Sequence, residues 1–77
     1  MRLCEMKSGD TMRLEEISLP SPLKRRLMIL GLTGGTGITL LRKKKNGAVI
    51  FKARGVRYAA GRRIAEGIFV GGGAKNG

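Results

Sequence analysis

The chain has 77 residues, and its 16 Lys and Arg against 5 Asp and Glu give a net charge of +11 with no histidine. That length makes one domain with a small core, and with 4% aromatic residues the core has to be aliphatic. No run approaches the roughly 18 apolar residues of a membrane span, and the single Cys4 excludes an internal disulfide.

Met1 to Asp10 lacks an apolar stretch of the kind a secretory leader carries, so no signal peptide is expected. Leu3 and Met6, three apart, predict one helical or 3₁₀ turn that ends at Gly9. Thr11 to Ile17 follows as a strand in which Met12 and Leu14 share a face. The alternation slips at Glu15-Glu16, which fits either a bulge or the end of the strand. Leu19-Pro20-Ser21-Pro22 is a stiff connection.

The most organised stretch runs from Ser21 to Thr36. Ser21 is placed to cap a helix, Pro22 suits its first position, and Gly31 suits its close. Leu23, Leu27 and Leu30 recur at i, i+4, i+7 and predict one buried stripe. Lys24, Arg25, Met28 and Ile29 fall on the opposite side. A helix this short does not persist alone in water and has to dock on the rest of the chain.

Thr33-Gly34-Gly35 then turns the chain into a strand from Thr36 to Arg42, with Ile38 and Leu40 on one face and Leu41 on the other. Lys43-Lys44-Lys45-Asn46-Gly47 carries the Asn-Gly pair of a tight hairpin, both residues tolerating positive φ. Ala48 to Arg54 returns with Val49, Phe51 and Ala53 on one face. Gly55 turns again, and Val56, Tyr58 and Ala60 alternate with Arg57 and Ala59. Arg62 to Glu66 predicts one helical turn with an i, i+4 ion pair, and Ile68 to Val70 a closing strand. Gly71 to Gly77 has nothing to bury and is expected to be a mobile tail, which leaves residues 1–70 as the domain.

Five short strands in one small domain predict a mainly β, closed or nearly closed barrel, because closure removes exposed edges. The helix lies between the first and second strands, and its leucine stripe covers an open end. A short helical turn precedes the last strand.

The residues argue against catalysis, since there is no histidine and Cys4 has no partner base. They also argue against a metal site or cofactor. Glu15 and Glu16 are adjacent and point apart on a regular strand, and the four methionines are scattered. The glycines from Gly31 to Gly37 follow a helix and open a strand, with no lysine after them, which is the reverse of a phosphate loop. Tyr58, Phe51 and Phe69 are too few for a proline-peptide groove, and both Phe are wanted in the core. What remains is binding by surface. Met28 and Ile29 beside Lys24 and Arg25 read either as a protein contact or as ordinary surface apolar residues. Lys43, Lys44 and Lys45 form a basic surface suited to weak, non-specific nucleic-acid binding.

One segment carries a family resemblance: Lys24-Arg25-Arg26-Leu27-Met28-Ile29-Leu30-Gly31-Leu32-Thr33-Gly34-Gly35-Thr36, a basic leucine-rich helix ending in Gly-Leu and a T-x-G-T turn. With Leu3-x-x-Met6-x-x-Gly9 before it and the strand pair Val49 to Ala59 after it, the chain resembles the FeoA family from about Leu3 to Val70. Gly34 stands where that family often has proline, and the link between the central strands is shorter and lysine-rich. The resemblance implies an SH3-like barrel and a cytoplasmic, non-enzymatic accessory of ferrous iron uptake. It also implies a partner, the cytosolic GTP-binding portion of the membrane iron transporter, for which Lys24, Arg25, Met28 and Ile29, grouped by their helical spacing, are the candidate contact residues. The alternative, drawn from charge alone, is a nucleic-acid- or ribosome-associated small β-barrel.

Overall fold

The computed structural model describes residues 1–72. A 3₁₀ turn, Leu3–Glu5, precedes β1 (Thr11–Ile17), α1 (Ser21–Ile29), β2 (Gly37–Lys43), β3 (Val49–Ala53), β4 (Val56–Ala60), α2 (Arg62–Gly67) and β5 (Ile68–Gly71). The strands form one antiparallel sheet in the order β4-β3-β2-β1-β5.

The sheet does not close on itself. The outer side of β5, where β4 would have to pair, is taken by the N-terminus. The Val70 amide donates to the Met1 carbonyl at 2.7 Å, and the Met1 amino group donates to the Val70 carbonyl at 2.9 Å. Arg2 bridges Phe69 beside them. Two residues therefore cover one sheet edge, which would otherwise present unpaired backbone groups.

The phase slip in β1 is a bulge. Leu14 pairs with Val70 and Glu16 with Phe69, so Glu15 is the extra residue. That insertion lets Leu14 and Ile17, three apart, both point into the core. A second bulge falls at Leu41, between the pairs Leu40–Phe51 and Arg42–Ile50. Val49, Phe51 and Ala53 are buried as their alternation requires, and Phe51 stacks on Tyr58 with ring centroids 5.3 Å apart. Phe69, expected in the core, is half-buried in β5 instead. Leu3 and Met6 are fully buried against the sheet.

The two hairpins differ. Between β2 and β3 the Gly47 amide donates to the Lys44 carbonyl and the Lys44 amide to the Ala48 carbonyl, leaving a three-residue loop. Only Gly47 has positive φ there, so Asn46 serves instead by accepting from the Ala48 amide at 3.0 Å. Between β3 and β4, Ala53 pairs with Val56 and both turn residues, Arg54 and Gly55, have positive φ. Arg54, at φ 55°, is the only non-glycine residue described with that conformation.

Helix α1 departs from expectation at both ends. Pro20, not Ser21, is the N-cap, and its carbonyl accepts from Lys24 at 3.0 Å. Ser21 is already helical, so its hydroxyl caps nothing. Pro22 sits in the first turn, where amides lack intrahelical acceptors and its missing N–H costs little. At the far end Gly31 donates to Met28 and Leu32 to Leu27, each at 3.0 Å, with Gly31 at φ 96°. This pair of bonds is a Schellman closure. It reverses the chain and brings Leu32 into the core beside Leu27, in the place that Leu30 was expected to fill. Leu23 is half-buried and Leu30 is 50% exposed, so the predicted leucine stripe reduces to Leu27.

Gly71 belongs to β5, paired with Arg13, and is not part of a tail. The rest of the expected tail, from residue 73, lies outside the described residues.

Candidate functional site

Because α1 buries so little of itself, most of its surface is presented. Lys24, Arg25, Met28 and Ile29 are all exposed, Met28 at 48% and Ile29 at 79%. With Ser21 they line one open hollow of about 440 Å³. Lys24 and Met28 also face a second hollow of about 170 Å³, between the helix and the bulged end of β1, where Glu15, Glu16 and Ile17 form the other wall. Among the described residues the one ion pair is Arg62–Glu66 on α2, at 3.3 Å, so neither Lys24 nor Arg25 is in a direct ion pair. The arrangement is an apolar strip rimmed by cations, suited to contact with a protein that offers apolar and acidic groups.

The three lysines are not equivalent. Lys43 ends β2 and its Nζ donates to the Cys4 carbonyl at 3.2 Å, tying it to the N-terminal turn. Lys44 and Lys45 remain exposed in the hairpin. The structure brings the four helix residues together and leaves the lysines as a separate group.

Three features of the region escaped the sequence reading. Leu30 and Val56 are each half-exposed. The Tyr58 hydroxyl donates to the Leu30 carbonyl at 3.0 Å, fastening the end of α1 to β4. Arg54 lies over Gly31, where an added methyl would meet its Nη1 at 3.3 Å. The available signal for these was the Leu30-Gly31 stop, which places Leu30 at the helix boundary.

No group of three or more Cys, Asp or Glu among the described residues is placed to hold a metal ion. The glycine turn after α1 uses its own amides. Gly35 donates to Leu14 and Thr36 to Thr33, so those two are not available to a phosphate. No helix among the described residues is long and apolar enough to cross a membrane.

A five-stranded antiparallel sheet with one helix inserted after its first strand and a second, short helix before its last defines a small SH3-like domain. The FeoA domain model matches residues 1–71, and the chain belongs to that family. The chain is similar to the FeoA protein of Chlorobium tepidum, solved in solution, at 34% identity and a TM-score of 0.84, over 91% of this chain and 68% of that one. It is similar to a crystallised iron uptake regulatory protein (FeoA) at 31% identity and a TM-score of 0.82, over 91% and 93% of the two chains. Stenotrophomonas maltophilia FeoA with zinc, described as an SH3 domain protein and a candidate ferrous iron transport activating factor, shares the fold at 21% identity and a TM-score of 0.80, over 92% and 89%. No protein of curated function matches the chain.

Proposed function

We propose that this chain is a non-enzymatic, cytoplasmic accessory of ferrous iron uptake that docks on the cytosolic, GTP-binding portion of the membrane iron transporter. The observation that carries the reading is the family match over residues 1–71. The solvent-facing side of α1 supports it with a mechanism: Met28 and Ile29 supply apolar contact, and Lys24 and Arg25 supply charge at the rim. Lys43, Lys44 and Lys45 act at longer range, raising the encounter rate with an acidic partner more than the lifetime of the complex. The chain brings no metal of its own to this task, and iron remains the transporter's cargo.

The test is capture of the full chain by the transporter's soluble portion. The double variant Met28→Asp with Ile29→Asp should abolish capture, whereas Lys43→Gln, Lys44→Gln and Lys45→Gln together should weaken it mildly. Undiminished capture of the double variant sinks the assignment of the docking face. The second reading, a nucleic-acid-associated barrel, rests on the net charge of +11. It takes over if the chain ignores the transporter and binds RNA tightly at physiological salt, where non-specific phosphate contacts fade.

A further inference from the structure

The sheet has a second basic surface that the docking reading does not use. On β3, Val49, Phe51 and Ala53 point inward, so Ile50 and Lys52 face solvent. The cross-strand pairs Arg42–Ile50, Thr39–Lys52, Ile50–Ala59 and Lys52–Arg57 extend this outer face across β2, β3 and β4. Directly opposed side chains lie about 5 Å apart at Cβ, and diagonal neighbours about 7–8 Å. Lys52 and Arg57 are therefore like charges face to face, with Arg42 diagonal to Lys52.

Such a pair works against the sheet, because like charges directly opposite each other are unfavourable. Nothing nearby relieves it. No acidic residue occurs anywhere between Glu16 and Glu66, and among the described residues neither Lys52 nor Arg57 is in an ion pair. A local cost kept without a structural return points to a use.

We propose that the outer face of β2, β3 and β4 rests on an anionic lipid bilayer, with Arg42, Lys52 and Arg57 in the headgroup layer. Lys52 stands between Arg57, directly opposite it, and Arg42, diagonal to it, so the three cations form one compact row across three strands. Lipid headgroups diffuse laterally and gather under a basic patch of this kind, each Lys or Arg near the surface adding to the attraction. Sites built for single-stranded nucleic acid add aromatic rings on which the bases stack. This face has none, since Phe51 and Tyr58 stack on each other on the inner side of the sheet. Leu41, partly exposed at the bulge beside Arg42, adds an apolar side chain among the cations. The proposal stands apart from transporter docking, because α1 is fastened to β4 through Tyr58, on the other side of the sheet.

The test uses the full chain with vesicles of phosphatidylcholine alone and of phosphatidylcholine mixed with phosphatidylglycerol, at about 0.1 M salt, where charges beyond about 10 Å are screened. The chain should sediment with the anionic vesicles and not with the neutral ones. Arg42→Gln, Lys52→Gln and Arg57→Gln together should cut partitioning about a hundredfold, at about a factor of five per basic residue. Lys24→Gln, Arg25→Gln and Arg26→Gln remove the same charge from α1 and should cost far less. Lys52→Gln alone should weaken binding about fivefold while holding or raising the unfolding midpoint, which shows that the fold survives. Equal losses in the two triple variants, no preference for anionic vesicles, or tighter binding of polyuridylate through the same three residues would each overturn the proposal. No transporter is present, so the outcome neither rescues nor damages the docking reading.

Discussion

In the 3₁₀ turn Leu3–Glu5, Leu3 is fully buried, and so is Met6 just beyond it. In α1, three times as long, only Leu27 is buried. The shorter element is part of the core, and the longer, more regular one lies on the surface. Contact with the sheet separates the two, since neither could persist alone in water. The contrast also bears on function. A helix held by so few buried side chains leaves the rest of its surface open, which is what the proposed docking face needs.

Substitutions can break or sharpen this contrast. Leu3→Ala should have the largest effect, about 2–5 kcal/mol, because it opens a cavity under a fully buried residue. That loss approaches the whole stability of a small domain, and a denaturant midpoint that barely moves would remove the 3₁₀ turn from the core. Leu27→Ala should cost less, about 2–3 kcal/mol, near the lower end for buried leucine because its site borders solvent. A midpoint equal to that of Arg25→Ala would mean that α1 is docked by another face. Leu30→Ala should cost under about 0.5 kcal/mol, as exposed positions do. A loss as large as that of Leu27→Ala would restore Leu30 to the buried stripe. Amide exchange offers a fourth measure: α1 should exchange through local opening well before the paired amides of β2 and β3. Equal protection of the helix and those strands would erase the contrast.

Most of the fold could be read from the residues themselves. The slip at Glu15-Glu16 marked a bulge or a strand end, and the pairing of Glu16 with Phe69 and Ile17 with Ile68 decides for the bulge. The strands, α1 and the helical turn at Arg62 followed from apolar spacing and from glycine punctuation. Closure of the sheet could not be read. It depends on what covers β5, and the residues that do so, Met1 and Arg2, carry no pattern that announces a pairing partner. The leucine stripe failed at Leu30 for a related reason: helical periodicity holds only to the last helical residue, and the Schellman closure hands the next interior position to Leu32. Of the candidate site, helical spacing was enough to group Lys24, Arg25, Met28 and Ile29. The split of Lys43 from Lys44 and Lys45 was hidden, because it rests on a contact with Cys4 across the fold. The opposed pair Lys52–Arg57 was hidden as well, since it exists only once the register of β3 and β4 is set.

Arg54 sits in the left-handed backbone region within a two-residue turn, and its side chain lies on Gly31 at the end of α1. Gly31 and Arg54 are far apart in the chain. A contact of that kind carries the entropy of closing the intervening loop. The last turn of α1 closes on its own local bonds, while its anchorage to the sheet runs through Arg54 and Tyr58 of the β3–β4 hairpin. A change in the β3–β4 turn should therefore reach the end of α1 without touching the helix itself.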